Sequence, residues 1–498
     1  MVYGLCNGGF GTMSEKQDSS TFRVSPQLFI GGRWRGAENA ETFDVVNPAT
    51  EEILASVADA STKDAMDAVA EAHVAQREWA KRPPRERSEV LRRCFEILLR
   101  DRERLARIIT LENGKSLTDS RAEVTYAAEF FRWFAEEAVR ISGEFMRAPA
   151  SGARILVQYK PAGVAVLVTP WNFPAAMGTR KIAPALAAGC GVVLKPAAET
   201  PLTMIEIAAL LGEAGVPTGL VNIISSSRAA TVVDAMLDDP RVRVVSFTGS
   251  TETGRKILRS SARNIINPAM ELGGNAPFVV FDDADVEAAV VGAMIAKMRN
   301  MGEACTAANR FFVHSKVHDL FVARLTERMG ALKVGNGLAP GIDVGPMVTE
   351  AARQKVKRLV DDAVAHGARV TTGGSALSGR GYFYQPTVLT DVSAQAACFR
   401  EEIFGPVAAV KRFDHDDEVV QMANDTEHGL VGYVYSRDIN RALRISEALE
   451  FGMIGLNRGL VSDPAAPFGG VKASGIGREG GREGIHEFLE AQYISMEW

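Results

Sequence analysis

Cys305 is the residue in this sequence whose side chain is best suited to nucleophilic chemistry. It follows a turn that contains Gly302, and we expect this turn to present the thiol at the start of a helix. A helix N-terminus favours negative charge and so lowers the pKa of a thiol. However, a lone cysteine is more often a small buried hydrophobic residue. Its position alone therefore leaves both interpretations open.

Two further residues could assist such a nucleophile. Glu271 lies at the end of a predicted strand and precedes two glycines, which let another group approach the backbone closely. Asn172 lies in residues 171–174, directly after a predicted strand at 164–169, and ligands of open α/β sheets bind at that end of a strand. Its amide could donate to a developing oxyanion. The alternatives are a capping or loop carboxylate for Glu271 and a turn residue for Asn172.

Two other segments could hold a dinucleotide. Residues 247–254 predict a strand that passes through a glycine turn into a helix, so that backbone amides there could contact phosphate. The segment is not a GxGxxG motif, and alone it is a weak signal. Lys195-Pro196, at the end of a predicted strand at 192–195, is equally ambiguous in isolation.

The helices and strands that must position these residues are predicted in two regions, which differ in their hydrophobic pattern. Helical periodicity predicts helices over 64–79, 85–113 and 118–141, with Gly114 as a C-cap. From residue 155 onwards, short β-branched runs alternate with amphipathic helices as far as a helix beginning at Thr251. This alternation predicts parallel βαβ units in a doubly wound α/β sheet.

The rest of the chain adds a second sheet and a tail. Residues 278–434 alternate again between strands and helices, and residues 491–496 predict a strand near the C-terminus. The chain has 498 residues, which favours two or three domains.

Composition excludes several classes of protein. Hydrophobic residues make up 46% of the chain and charged residues 23%, which is ordinary for a soluble globular protein. The net charge of −5 gives no reason to expect nucleic acid or a membrane as a partner. No apolar run reaches the roughly 18 residues that a membrane span needs.

Cysteine and histidine usage points to a reducing cytoplasm and to no metal site. The five cysteines, which include Cys6, form no CxxC pair, and the seven histidines form no HxH or HxxxH pair. Residues 1–12 lack a basic segment and a continuous apolar core, so they do not predict a secretory signal. The natural product could begin at Met1 or at Met13.

Taken together, the motifs resemble the aldehyde dehydrogenase superfamily across essentially the whole chain. Six motifs occur in the family's order, at residues 171–174, 195–196, 247–250, 271–274, 302–305 and 401–406. The resemblance implies an α/β fold with a Rossmann-like cofactor domain (13–142 and 161–270) and an α/β catalytic domain (271–464). A small β oligomerisation arm (143–160 and 465–498) completes it. This arm is expected to pair with the C-terminal strand of a neighbour, giving a homodimer or homotetramer.

The resemblance also implies catalytic roles. Cys305 matches the nucleophile, Glu271 the general base and Lys181 the lysine of the proton path, while Asn172 and the backbone N–H of Cys305 match the oxyanion hole. The thiolate would add to an aldehyde, hydride would leave for a nicotinamide, and water activated by Glu271 would hydrolyse the thioester.

The implied cofactor is NADP or NAD. The residues assigned to cofactor binding are Trp171, Lys195, Ala198, Arg228, Gly249, Ser250, Glu402 and Phe404. Ala198 stands where many NAD-preferring relatives have glutamate, which would repel a 2′-phosphate. Lys195 and Arg228 could reach that phosphate instead, and we therefore favour NADP.

Three residues narrow the substrate to a small aldehyde with a carboxylate tail. Arg180, Arg299 and Ser462 match the carboxylate-binding set of the succinate-semialdehyde branch of the family. Two guanidinium groups can bind a carboxylate bidentately. Either arginine could instead pair with a structural acid. The alternatives are another acid-tailed aldehyde, such as glutarate semialdehyde, or a non-catalytic binding or structural member.

One departure from this branch concerns redox control. Many of its members carry a second cysteine two residues after the nucleophile, and here that position is Ala307. We therefore expect no local disulfide at Cys305.

Overall fold

The computed structural model describes residues 24–497, so Cys6 and the alternative start at Met13 lie outside the described residues. The helices are α1 (Thr62–Trp79), α2 (Pro84–Arg100), α3 (Arg102–Asn113), α4 (Leu117–Glu137), α5 (Ala176–Ala188), α6 (Leu202–Glu213), α7 (Ala229–Leu237), α8 (Thr251–Ser261), α9 (Val286–Met298), α10 (Ser315–Gly330), α11 (Glu350–Ala365), α12 (Asp416–Asn424) and α13 (Ile439–Ala448).

The strands are β1 (Leu28–Ile30), β2 (Arg33–Arg35), β3 (Thr42–Val46), β4 (Ile53–Ala58), β5 (Glu144–Arg147), β6 (Arg154–Pro161), β7 (Val164–Val168), β8 (Gly191–Lys195), β9 (Val221–Ile223), β10 (Val242–Thr248), β11 (Asn267–Glu271), β12 (Ala276–Val280), β13 (Ala308–His314), β14 (Arg369–Thr372), β15 (Thr387–Thr390), β16 (Val407–Phe413), β17 (His428–Gly429), β18 (Val431–Tyr435), β19 (Met453–Leu456), β20 (Val471–Lys472), β21 (Gly475–Ile476) and β22 (Leu489–Met496).

The first large sheet has the strand order β2-β1-β9-β8-β7-β10-β11-β21. Its centre, from β9 to β11, is parallel, which confirms the predicted doubly wound arrangement. Strands β1 and β21 add antiparallel pairs at its two sides. The chain winds outwards in opposite directions from β7, and the crevice at such a switch point is where open α/β sheets bind ligands.

Alternating side chains of β7 explain why both faces of this sheet are covered. Ala165 and Leu167 join one apolar core, whereas Val164, Val166 and Val168 join the core on the other face. A strand buried on both faces needs helices on both sides, and this is the physical reason for the doubly wound fold.

The second large sheet has the order β14-β15-β16-β13-β12-β18-β19. It is parallel except for β14, and apolar cores cover both of its faces. This confirms the second alternating region that the sequence predicts.

The third sheet corrects the prediction for the arm. Strand β22 pairs antiparallel with β6 of the same chain over eight residues, from Leu489 opposite Pro161 to Met496 opposite Arg154. The prediction that the hairpin pairs with a neighbour's C-terminal strand is therefore wrong. The segment 465–498 is also divided, because β21 joins the first large sheet. We propose the three-part domain division with these two changes.

The N-terminal helices match the prediction with one break. Helix α1 contains the helix predicted over 64–79, and it begins at a capping box formed by Ser61 and Asp64. The predicted single helix over 85–113 is wrong, because Asp101 has φ −95° and ψ 17° and separates α2 from α3. Aspartate favours helix ends over helix interiors, so this residue is a natural break. Gly114 ends α3 with φ 96°, as predicted.

Candidate active site

Parallel strands bring the predicted site residues to one edge of the first sheet. Glu271 is the last residue of β11, and its carbonyl accepts a hydrogen bond of 3.0 Å from the backbone N–H of Gly249, just after β10. Asn172 follows β7, the neighbour of β10. The predicted positions of these residues at strand ends are thus confirmed.

Cys305 reaches this edge from the second sheet, and its local structure differs from the prediction. It follows a 3-10 turn at Arg299–Gly302 and precedes β13, so no helix starts there and the predicted helix N-terminus is wrong. A β-carbon at Gly274 would lie 2.6 Å from the carbonyl oxygen of Cys305. The glycines after Glu271 therefore allow the nucleophile's loop to approach, as the sequence suggests.

Burial controls the proton affinity of both groups. Cys305 is partly exposed, yet desolvation raises the pKa of its thiol to about 12, against the opposing charges of Arg180 and Arg299. Burial, followed by the nearby charge of Glu479, also raises the pKa of Glu271 well above its usual range. Neither carboxylate oxygen of Glu271 has a hydrogen-bond partner within residues 24–497. Such a carboxylate is suited to accept a proton.

The segment that carries Asn172 is fixed by a buried ion pair that sequence reasoning missed. Lys115 Nζ donates to Glu123 and to the carbonyl of Asn172, both at 2.6 Å. The amide of Asn172 donates to the carbonyl of Glu303 at 3.0 Å, and Asn300 donates to both carbonyls at 2.8 Å. These bonds lock the Asn172 loop to the Cys305 loop.

Four charged residues form what we call the buried charge cluster: Arg180, Lys181, Glu271 and Glu479. Lys181 Nζ donates to Ser246 at 3.0 Å and to Glu479. Arg180 Nε lies 2.9 Å from Glu479 Oε2. Among these residues, Glu479 is the one to which the sequence analysis assigns no role.

A cavity of about 260 Å³, the Cys305 cleft, opens beside the nucleophile. Its lining includes Trp171, Asn172, Gly249, Ser250, Gly273, Cys305, Lys355, Glu402 and Phe404. Ser250 caps α8, whose N-terminus faces the cleft and favours an anion. Trp171 and Phe404 meet edge to face at 5.3 Å. Burial raises the pKa of Glu402 to about 7, opposed by a hydrogen bond from the Gly274 amide.

The features of this cleft fit a dinucleotide. A β-carbon at Gly273 would lie 3.2 Å from Glu402 Oε2, so glycine keeps the space between them open. Lys195 is not among the lining residues of this cleft; it is 4% exposed, and its ammonium forms no hydrogen bond or ion pair within the described chain. Burial lowers the pKa of this ammonium to about 8. An unpaired buried ammonium favours an anionic ligand.

Arg228 is placed differently from Lys195. Its Nη2 lies 2.5 Å from Glu41 Oε2 and 3.9 Å from Asp59 Oδ2. The structure thus gives Arg228 two carboxylate neighbours, whereas Ala198 is partly exposed and carries no charge itself.

A second cavity of about 500 Å³, which we call the Arg299 cavity, borders the Asn172 segment at Phe173. It is lined by Asp119, Ala122, Glu123, Tyr126, Phe173, Met294, Ile295, Met298, Arg299, Asn300, Asp343, Leu460 and Ser462. Arg299 stacks on Phe173 at 4.8 Å and donates to Ser462 at 3.3 Å. It forms no ion pair with a carboxylate in residues 24–497. Arg180 is not among the lining residues.

Comparison with known proteins agrees with this geometry. The aldehyde dehydrogenase family model matches residues 34–494. The chain belongs to the aldehyde dehydrogenase family. Members of this family are oxidoreductases, and the chain is an NAD(P)-dependent enzyme of this class.

Individual aldehyde dehydrogenases resemble the chain over nearly its full length. It is 52% identical to a succinate-semialdehyde dehydrogenase of Paenarthrobacter nicotinovorans, over 89% of this chain and 99% of that one. It is 45% identical to a glutarate-semialdehyde dehydrogenase of Pseudomonas putida, over 96% and 99%. The crystal structure of an NADP-dependent E. coli enzyme superposes with a TM-score of 0.94 at 45% identity, covering 95% and 98%. The aldehyde dehydrogenase fold is thereby confirmed.

Helix hydropathy adds one finding. Within residues 24–497, every helix is too short or too polar to cross a membrane.

Proposed function

We propose that this aldehyde dehydrogenase oxidises succinate semialdehyde to succinate with NADP or NAD. The observation that carries the substrate assignment is Arg299, a partly buried guanidinium that lines a cavity beside the nucleophile's loop without a carboxylate partner in the described chain. A carboxylate tail would supply that partner. Charge-assisted hydrogen bonds of this kind contribute about 1.5–3 kcal/mol.

The chain's own residues account for the covalent steps. The Cys305 thiolate adds to the aldehyde carbon, and Glu271 is the nearby group that can take the thiol proton. The amide of Asn172 and the backbone N–H of Cys305 hold the oxygen that becomes negative. Loss of hydride leaves a thioester on Cys305. Water then attacks this thioester while Glu271 accepts its proton, and succinate leaves.

The dinucleotide supplies the hydride acceptor when it is bound. Glu402 and Phe404 would hold its nicotinamide end in the Cys305 cleft, and Gly249, Ser250 and the N-terminus of α8 would hold its phosphates. The unpaired ammonium of Lys195 supports a preference for NADP. Arg228 supports it less, because Glu41 already neutralises that guanidinium.

A substrate that is longer by one methylene is the second candidate. The Arg299 cavity of about 500 Å³ leaves room for glutarate semialdehyde, whose tail could reach the same guanidinium. Comparing the two chain lengths at equal cofactor concentration distinguishes the candidates.

The exposed edges of two strands support assembly into a homodimer or homotetramer. All four residues of β5 are exposed at the edge of the arm, and β19 is the edge strand of the second large sheet. Unpaired edges of this kind are templates for pairing between chains. A cytoplasmic location is supported by the free thiols of Cys94, Cys190, Cys305 and Cys398.

The test is to measure kcat/KM for a panel of aldehydes, with the absorbance of NAD(P)H reporting the rate of each reaction. We expect kcat/KM for succinate semialdehyde to exceed that for butanal by at least tenfold, with glutarate semialdehyde between them. Equal values for succinate semialdehyde and butanal would contradict the proposed tail site. No NAD(P)H formation from any aldehyde would contradict the catalytic assignment itself.

A further inference from the structure

Arg180 and Lys181 are consecutive residues of α5, and both contact one carboxylate, Glu479. Arg180 Nε lies 2.9 Å from Glu479 Oε2, and Lys181 Nζ donates to Oε1. The three side chains are only 2%, 1% and 7% exposed. Glu479 therefore connects the arginine expected to bind substrate with the lysine expected in the proton path.

The surroundings of Arg180 hold it in place for this contact. Its guanidinium carbon lies 4.1 Å from the ring centre of Phe468 and 5.3 Å from that of Phe130. Its Nη1 lies 3.8 Å from the sulfur of Met177. The aromatic rings and the thioether leave Glu479 as its ion-pair partner in residues 24–497. Arg180 thus differs from Arg299, which lines a cavity and has no such partner.

The contact between Arg180 and Glu479 contributes to the charge balance of the buried charge cluster. When Glu271 is ionised, the buried charge cluster contains two positive and two negative groups. Burial lowers the pKa of Lys181, although Glu479 opposes this. Burial would also lower the pKa of Arg180, but the nearby Tyr126, Glu479, Glu271 and Cys305 outweigh it and raise that pKa. Arg180 is therefore the cation of the cluster that does not lose its proton.

We propose that Arg180 is a positioning residue for the general base: its ion pair with Glu479 balances the cluster, so that Glu271 can lose its proton. A buried carboxylate whose cation is removed takes up a proton instead. The charged groups that face Glu271 are Glu479, Arg180, Lys181, Arg478 and, when ionised, Cys305. The inference rests on the proposed role of Glu271 as the base.

Hydrolysis of an acetyl group on Cys305 tests this without an acid tail or a cofactor. Cys305 displaces p-nitrophenolate from p-nitrophenyl acetate. Water then attacks the acetyl carbonyl as Glu271 accepts its proton, and acetate leaves with the thiol regenerated. The slow second phase of p-nitrophenolate release, measured from pH 5.5 to 9.5, reports the ionisation of the base.

Substitutions of Arg180 and of Glu479 should move the midpoint of this pH–rate profile in opposite directions. Arg180→Met should raise it by about one pH unit or more, and the rate at neutral pH should fall about tenfold. Arg180→Lys should restore most of the rate. Glu479→Gln removes a like charge and should lower the midpoint. Arg100→Met, which removes an Arg–Glu ion pair with Glu213 on the protein surface, is the matched control and should leave the profile unchanged. If Arg180→Met does not fold, the downward shift in Glu479→Gln decides.

Two results would overturn the proposal. One is an Arg180→Met profile identical to wild type, with only kcat/KM for succinate semialdehyde reduced, because Arg180 would then be a tail ligand. The other is an upward shift in Glu479→Gln. Failure of the proposed base is distinguishable, since Glu271→Gln would then hydrolyse the acetyl group as fast as wild type.

Discussion

The buried charge cluster and the Arg299 cavity use arginine in two different ways. In the cluster, Arg180 is 2% exposed and pairs with Glu479, so its charge is balanced inside the protein. In the cavity, Arg299 is partly exposed and contacts aromatic rings and a serine, and its charge acts on Asp119 without forming an ion pair. A paired buried charge sets the protonation of the groups around it, whereas an unpaired charge on an accessible wall can bind ligands.

This comparison predicts which changes affect every aldehyde and which affect acid-tailed aldehydes alone. Residues at the reacting carbon and around the base should alter kcat whatever the substrate. Residues of the Arg299 cavity should alter kcat/KM for tailed substrates only. Residues expected to bind the adenosine of the cofactor should alter the choice of cofactor.

The largest effect should come from the oxyanion donor. Asn172→Ala should lower kcat by roughly 10²–10³, because one preorganised donor to the developing oxyanion is lost. The loss should be equal for succinate semialdehyde and butanal, with KM little changed. Steady-state kinetics measures it, and Asn172→Asp, which keeps the shape but loses both donors, should be at least as slow. A loss of kcat with succinate semialdehyde alone would contradict the prediction that residues at the reacting carbon affect every aldehyde.

The Arg299 cavity should give an intermediate effect. Arg299→Met should lower kcat/KM for succinate semialdehyde by about 10–150-fold, which corresponds to about 1.5–3 kcal/mol. Butanal should change by less than about threefold. Ser462→Ala is the milder control, because it removes the hydroxyl that accepts from Arg299 but keeps the charge. Equal losses for both aldehydes would make Arg299 a structural residue.

The sequence predicts the fold well, and it also predicts the positions of Glu271 and Asn172 at strand ends, for a physical reason. Hydrophobic periodicity reports on burial, so α1 and the alternating sheets are predicted from local pattern. Strand ends locate Glu271 and Asn172, because parallel strands meet at one edge. The sequence does not reveal features of the site that depend on contacts between residues far apart in the chain. The pairing of Arg180 with Glu479 joins residues about 300 positions apart, and the Lys115–Glu123 ion pair shows no motif.

Local pattern also misleads where backbone geometry is unusual. The turn before Cys305 contains Asn300 and Met301 with φ of 51° and 57°, values that non-glycine residues seldom adopt. A glycine turn before a helix is the simpler expectation. The actual turn, fixed by the side chain of Asn300, leads into β13 instead.

The smallest effect should appear at the adenosine end, where Lys195 lacks the ion pair that Arg228 has. Because burial lowers the pKa of Lys195 to about 8, its ammonium is charged below pH 8 and neutral above it. A 2′-phosphate is largely a dianion above about pH 6. The ratio of kcat/KM for NADP to that for NAD should therefore be highest near pH 7 and fall several-fold by pH 9.

Lys195→Arg is the matched control, because arginine keeps its charge over this range and should flatten the profile. Ala198→Glu should lower the ratio several-fold at every pH, since the added carboxylate repels the phosphate. Steady-state kinetics with both cofactors between pH 6.5 and 9 measures all three enzymes. A wild-type ratio that favours NAD by more than tenfold, unchanged by Ala198→Glu, would contradict the preference for NADP. A pH-independent wild-type ratio would show that Lys195 does not face the phosphate, and the unpaired charge would then need another ligand.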